Sequence, residues 1–272
     1  MINKKVAFFG AEGAFTHLAA LQYCEKHKKL QLVNEKVVRI FDAEKILKDS
    51  SVDYCIVPAE NSTGGMVNET FDMLINSELK VVDEIRLPIV QNLLSKETDL
   101  KNIKSVYAHP QSLSQCREFL ESNLPNVELI AVQSNAIGAK IVSEKDGEAA
   151  AIGATVLSNV YKLNILKENI NDNNNNETRF FVVSRNFLAE YGKHSIILFS
   201  LQNQPGALYD VLGVFHNYKC NMTQISSRPS KMKNWEYLFV VEFDTLPDIC
   251  ENQAMLKEIE SKCVYYNCAG MY

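Results

Sequence analysis

Five consecutive residues, Asn176-Glu177-Thr178-Arg179-Phe180, set an amide, a carboxylate, a hydroxyl and a guanidinium side by side. A polar run at 171–176 precedes them and the apolar burst Phe180-Phe181-Val182-Val183 follows, so a loop feeds straight into a strand. Open α/β sheets bind ligands at such strand ends, because a rigid strand fixes the loop residues beside it. A solvated turn fits the same local sequence, and the choice rests on the rest of the chain. Three other stretches join turn residues to donors: GAEGAFT at 10–16, PAENSTGG at 58–65 and HPQSLSQC at 109–116. Backbone N–H groups at a turn or helix start suit an anion such as a carboxylate.

These stretches need elements to hold them. Residues 5–9 read as a buried strand, followed by a glycine turn and a helix from His17 that Thr16 is placed to cap. Gly10 and Gly13 lack the third glycine of a dinucleotide site, so the turn reads as a carboxylate holder. A strand is expected at 37–41, a helix at 42–48, a strand at 54–57 and a helix at 66–75. Strand-like segments at 81–85 and 87–94 lead to a second unit, with strands at 106–108, 129–132 and 149–152 and helices at 117–121, 135–143 and 153–161. That alternation favours a parallel sheet. After a mixed linker at 186–194, strands at 195–201, 222–227, 235–243 and 263–268 and helices at 207–218 and 248–261 form a βαββαβ order, that of a ferredoxin-like fold. A unit that small gains stability by pairing with another copy.

Composition bounds the class. With 272 residues, 46% hydrophobic and 22% charged, the chain exceeds one ordinary core and suits two soluble units. A formal charge of −5 and no long basic run argue against nucleic acid and anionic membranes as partners. No stretch has the length of a membrane span or a signal peptide, so the cytoplasm is the expected location. Seven scattered cysteines lack the close pairing of a zinc site or disulfide framework; reduced thiols and no metal are expected. Cys116, Met66 and Met73 read as packing, and the asparagine run as a solvated loop.

Five stretches in order, FFGAEGAFTHLAA at 8–20, VPAENSTGGMV at 57–67, YAHPQSLSQC at 107–116, NETRFF at 176–181, and PGAL at 205–208 with SSRP at 226–229, resemble the monofunctional prephenate dehydratases that carry a C-terminal ACT domain. The resemblance covers nearly the whole chain. It implies an α/β protein with a two-lobed, periplasmic-binding-protein-like catalytic domain at 1–185, a linker at 186–194 and a ferredoxin-like βαββαβ ACT regulatory domain at 195–272. It further implies decarboxylative dehydration of prephenate to phenylpyruvate without metal or organic cofactor, and feedback by L-phenylalanine. Because the similarity starts at the first strand, a form fused to chorismate mutase is not expected. An arogenate dehydratase and a non-catalytic amino-acid sensor are the alternatives, and the intact Thr178-Arg179-Phe180 argues against the sensor.

By motif match, Thr178 is the expected donor to the departing hydroxide, acting by hydrogen bond or proton relay because a free hydroxyl is a poor acid. Thr16, Glu60, Asn61, Ser62, Thr63, Gln115, Arg179 and Phe180 are expected around the substrate, with helix N-termini at Thr16 and Ser62 holding its carboxylates. Asn61 and Gln115 are expected to face each other from the two lobes. Glu60 bound to turn N–H groups, Arg179 paired with a core carboxylate and His109 as a structural histidine are equally open readings. Pro205, Gly206, Ala207 and Leu208 are expected to bind phenylalanine together with Ser226, Ser227, Arg228 and Pro229 of a neighbouring copy in a dimer or tetramer. Three departures from the family stand out. Ala108 replaces a serine and removes a hydroxyl from the cleft; Ser134-Asn135-Ala136-Ile137-Gly138-Ala139 lacks an acidic residue, which leaves Ile137 as packing; and Ser226 replaces a glutamate, which weakens the phenylalanine contact.

Overall fold

The computed structural model describes residues 4–49, 52–185, 192–229 and 237–272, with side chains 34–36 excepted. Two compact units divide them. The first takes residues 1–70 and 85–180, the second 71–84 and 181–272. Most of the expected linker, 186–191, and the start of the strand expected at 235 lie outside the described residues.

The first unit has two lobes. Lobe one runs β1 (Lys4–Phe9), α1 (Phe15–Lys26), β2 (Leu30–Val37), α2 (Asp42–Asp49), β3 (Tyr54–Asn61) and β4 (Gly65–Met66); α3 (Asn68–Asn76) begins in it and β5 (Lys80–Pro88) ends in it, their residues 71–84 belonging to the second unit. Parallel pairs β1–β2 and β1–β3 form the centre of lobe one. Lobe two runs β6 (Asn92–Ser95), β7 (Ser105–Ala108), α4 (Pro110–Gln115), α5 (Arg117–Asn123), β8 (Glu128–Ala131), α6 (Asn135–Glu144), β9 (Ala149–Gly153), α7 (Thr155–Tyr161) and β10 (Asn164–Lys167). Its sheet order is β10-β6-β9-β7-β8, and the chain returns to lobe one on β11 (Glu177–Ser184). Helices cover both faces of this second sheet, which is why β9 reads as an unbroken apolar run. Leu93, Ala150 and Ile152 pack one face with Cys116 and Leu120, whereas Leu94, Ala149 and Ala151 pack the other with Ala136, Val142 and Leu157.

The second unit orders β12 (His194–Ser200), α8 (Ala207–Asn217), β13 (Met222–Pro229), β14 (Tyr237–Asp244), α9 (Ile249–Ser261) and β15 (Tyr265–Met271) as βαββαβ. Its strands lie β13-β14-β12-β15, antiparallel throughout, with β5 beside β15 at Val81 and Gly270. Ile197, Phe199, Val241 and Phe243 present alternate residues to Val211, Phe215, Met255 and Ile259 of the two helices. The fold is therefore α/β with a two-lobed, periplasmic-binding-protein-like part and a ferredoxin-like ACT part.

Local expectations shift in three places. The strand expected at 37–41 is β2, at 30–37; it is an edge strand carrying the polar run Asn34-Glu35-Lys36, and the chain turns at Arg39, whose N–H donates to Asp42 Oδ2 at 2.9 Å. Thr16 does not cap α1: Ala14 holds the extended cap position, and Thr16 is buried in the first turn. No helix starts at Ser62, because β4 folds back on β3, pairing Met66 with Glu60 and Gly65 with Asn61.

Close packing of α6 on β7 is tightest at Gly138, where an added Cβ would stand 2.8 Å from the Tyr107 carbonyl oxygen. Alanine there gains about 1 kcal/mol in helix propensity but forces a backbone shift costing about 1–3 kcal/mol, so the strain wins on average. Gly138→Ala should lower the denaturation midpoint in urea without changing the slope of the transition.

Candidate active site

Asn61 ends β3, and its carboxamide is bound on both sides. Its Oδ1 accepts the backbone N–H groups of Thr63 at 3.1 Å and Gly64 at 2.8 Å. Since only oxygen can take those two donors, Nδ2 faces the start of β11. There it donates to Asn176 Oδ1 at 2.7 Å, Thr178 Oγ1 at 2.9 Å and the Glu177 carbonyl at 3.2 Å. Ser62 reinforces the junction: its N–H bonds the Glu177 carbonyl at 2.8 Å and its Oγ accepts the Glu177 N–H at 3.0 Å. Lobe two reaches the same group, since Gln115 Nε2 lies 3.4 Å from Asn61 Oδ1.

A cleft of about 500 Å3 opens between the lobes around these side chains. Asn61 and Thr178 line it from one side, and Gln91, His109, Gln111, Ser112, Gln115 and Asn135 from the other. The second set is tied together. Ser112 Oγ accepts from Gln91 Nε2 at 3.0 Å and from Asn135 Nδ2 at 2.8 Å, while Asn135 Oδ1 accepts the His109 N–H at 2.9 Å. His109 caps α4, its Nδ1 accepting the Gln111 N–H at 3.2 Å, which leaves the ring proton on Nε2. Burial pushes its pKa below the ordinary histidine value, favouring the neutral ring. Among the described lining residues, His109 and Glu69 alone are ionisable, so neutral donors dominate.

Two chain segments connect the lobes, and side chains of the asparagine run bind them together. Asn171 Oδ1 accepts the Gln91 N–H at 2.7 Å, its Nδ2 donates to the Ile89 carbonyl at 2.9 Å, and Ile89 N–H bonds the Asn176 carbonyl at 2.8 Å. The reading of this run as a solvated loop is therefore corrected at Asn171 and at Asn176, which is 3% exposed. Met66 likewise lines the cleft rather than a core, whereas Met73 is core. Cys116 packs as expected, burial pushing its thiol up to about 12.

Of the nine residues expected around substrate, Asn61, Gln115 and Thr178 line the cleft and the other six do not. Arg179 forms an ion pair with Glu60 at 3.1 Å, the core-carboxylate arrangement. Phe180 is buried at 1% exposure, where β11 becomes buried on both faces. Ser62 and Thr63 build the turn that Asn61 caps, and Thr16 is buried in α1. The α1 turn has its own internal acceptor: Gly13 N–H donates to His17 Nδ1 at 3.1 Å. Ala108 is fully buried against the lobe-two core, so the serine it replaces would not reach the cleft from this backbone. Gln91 and Asn135 escaped the sequence reading; their signal was the polar pair Gln91-Asn92 inside an apolar segment and an asparagine at a helix start.

In the second unit, Gly206 takes a left-handed conformation (φ 87°) and α8 starts at Ala207. A cavity of about 170 Å3 there is lined by Leu201, Gln202, Asn203, Gln204, Ala207, Leu208, Tyr237 and Phe239. Ser226, Ser227, Arg228 and Pro229 lie apart from it on edge strand β13. Arg228 forms an ion pair with Asp72 of α3, and both side chains are largely buried.

Comparison with known proteins adds the family. The prephenate dehydratase profile matches residues 6–187 and the ACT domain profile residues 195–249. A bifunctional chorismate mutase/prephenate dehydratase of Aquifex aeolicus is 37% identical over 98% of this chain, which spans 73% of that protein's length. The prephenate dehydratase of Methanocaldococcus jannaschii is 34% identical over 100% of this chain and 98% of its own. Among solved structures, a prephenate dehydratase from Arthrobacter aurescens in complex with L-Phe is 27% identical, with a TM-score of 0.87 over 98% of this chain and 89% of that one. With a matched profile across both lobes and full-length relatives above 30% identity, this chain belongs to the prephenate dehydratase family and is a lyase.

Proposed function

We propose that the chain converts prephenate to phenylpyruvate in L-phenylalanine biosynthesis, with the hydroxyl of Thr178 assisting departure of the ring hydroxyl. The bond from ring carbon to carboxylate breaks, its electron pair enters the ring, and hydroxide leaves from the opposite ring position. Hydroxide takes a proton to become water, and the ring becomes aromatic. Because the product is so favoured, the enzyme's task is to stabilise charge growing on the leaving oxygen. One observation carries the reading: Thr178 Oγ1 accepts from Asn61 at 2.9 Å in the cleft, so the threonine's own proton is free to point at substrate. A hydroxyl that already accepts a hydrogen bond is a better donor.

Neutral groups suit the rest of the substrate. Gln115, Gln111 and His109 Nε2–H offer donors to two carboxylates in a cleft whose arginine neighbour, Arg179, is engaged by Glu60. In this reading residues 1–185 form the catalytic domain, 186–194 the linker, and 195–272 a regulatory domain that self-associates. L-Phenylalanine binds at Pro205, Gly206, Ala207 and Leu208, against Ser226 to Pro229 of a neighbouring copy, and inhibits. The ACT profile, the cavity at the α8 start and the relative solved with L-Phe support this. Arg228 gives the effector a physical route, since its partner Asp72 sits on the helix whose first turn carries the cleft residue Glu69. By linkage the effector inhibits by preferring a conformation that binds prephenate poorly, and a coupling of about 1–3 kcal/mol shifts apparent affinity roughly 5- to 150-fold.

Purified protein should release phenylpyruvate from prephenate, and phenylalanine from arogenate far more slowly; the reverse preference would assign an arogenate dehydratase. Thr178→Ala should lower kcat by about 100-fold or more in a folded protein, with Thr178→Ser retaining more. Near-wild-type turnover in Thr178→Ala would remove the hydroxyl from the mechanism. For regulation, Ala207→Asp sets a carboxylate at the effector cavity in a position favourable to helix α8. Inhibition by phenylalanine should disappear while kcat without effector stays within about 2-fold of wild type; inhibition that survives would move the effector site elsewhere.

A further inference from the structure

We propose that Asn176 is a positioning residue for the dehydration, holding the Asn61 carboxamide so that its second N–H meets Thr178. The inference rests on the reading of Thr178 as hydrogen-bond donor to the leaving group. An amide nitrogen has two protons, and Asn61 Nδ2 has three acceptors within reach. The shortest contact, 2.7 Å, goes to Asn176 Oδ1 and fixes one proton; the next, 2.9 Å, gives the other to Thr178. The Oδ1 side is fixed by Thr63 and Gly64, so a fully bound, planar group leaves Thr178 little choice of where to send its own proton.

A second observation concerns what Asn176 leaves undone. Its side chain is buried, and its Nδ2 has no hydrogen-bond acceptor among the described residues. A stranded buried donor is costly. Aspartate would supply the same acceptor without stranding a donor, and is close in size. It would also set a negative charge against Asn61, next to a cleft that receives a dianion and offers it no free arginine or lysine among its described lining residues. A neutral acceptor at 176 serves Asn61 and spares the substrate that repulsion. The stranded donor follows from that requirement.

Asn176 does not line the cleft, so its effect passes through Asn61 and Thr178. Steady-state kinetics with prephenate on the full chain test this through Asn176→Ala, Asn176→Asp, Thr178→Ala and the double variant Asn176→Ala/Thr178→Ala. Misplacement of a reacting group by about an ångström costs on the order of 100-fold, so Asn176→Ala should lose about 10- to 100-fold in kcat with KM within about 3-fold. In the Thr178→Ala background the same change should cost less than about 3-fold, because the group it positions is gone. Asn176→Asp, which keeps the acceptor, should recover kcat to within about 10-fold of wild type while KM rises about 10-fold. Equal losses in both backgrounds would reduce Asn176 to a structural role and overturn the proposal. Full turnover in Asn176→Ala beside a crippled Thr178→Ala would overturn it while sparing the hydroxyl mechanism; full turnover in Thr178→Ala would overturn both. Should Asn176→Ala fail to fold by circular dichroism, the folded Asp variant decides: kcat lost more than about 100-fold at unchanged KM overturns the proposal.

Discussion

The carboxamide of Asn61 is the interaction on which the geometry of the cleft depends. A backbone turn, the entrance of β11 and a glutamine from the other lobe all converge on one planar group. Planarity matters, because an amide cannot rotate its donor face without turning its acceptor face away from Thr63 and Gly64. A serine or threonine at the same place would leave its proton free to choose among acceptors. The Asn61 side chain thus converts the geometry of a hairpin turn, set when β4 pairs back on β3, into the orientation of a hydroxyl on a strand 117 residues further along.

Neutrality is the second constraint. The obvious way to hold a dianion is arginine, yet Arg179 lies beside the reacting strand and is locked to Glu60, with its side chain 11% exposed. The pair is only partly buried, the Glu60 side chain being 32% exposed, but the two charges still neutralise each other. The pair is therefore a self-neutralised strut under the site. It ties β3 to β11 without adding net charge beside the cleft. The side chains that line the cleft are mostly neutral, and burial lowers the His109 pKa, favouring its neutral ring.

How much of this was legible in the sequence depends on where each partner lies. Short motifs carried Asn61, Gln115 and Thr178, since the turn after β3, the helix after β7 and the start of β11 are local structures with local signatures. The same motifs also carry residues that do not line the cleft: Phe180 and Ala108 are buried in the core, and a motif match does not reveal which of its residues face a cleft. The asparagine run failed for the opposite reason. Its composition is that of a solvated loop, and only the second interlobe segment, 80 residues earlier in sequence, turns Asn171 into a clasp for the Gln91 backbone. Element order in the ferredoxin-like part was readable because hydrophobic alternation is strong there. The grouping of residues 71–84 with it was not, since nothing local marks a helix and strand as belonging with a sheet more than 100 residues away.

That grouping changes how the effector part is understood. A regulatory domain joined to an enzyme through a linker alone would have to act through that linker. Here α3 starts with residues that cluster with the catalytic lobes and ends with residues that cluster with the ACT strands, and Asp72 on it is held by Arg228. Lys80 adds a second tie within the unit, its ammonium donating to Asn267 Oδ1 at 2.8 Å and the Cys268 carbonyl at 2.5 Å. Burial lowers the Lys80 pKa, and a cation kept under that pressure needs its carbonyl partners in place. Displacing β13 or β15 would therefore disturb the contacts that Arg228 makes with α3 and that Lys80 of β5 makes with β15. Within the second unit, then, the end of α3 and the start of β5 are held to the ferredoxin-like strands by side-chain contacts as well as by strand pairing.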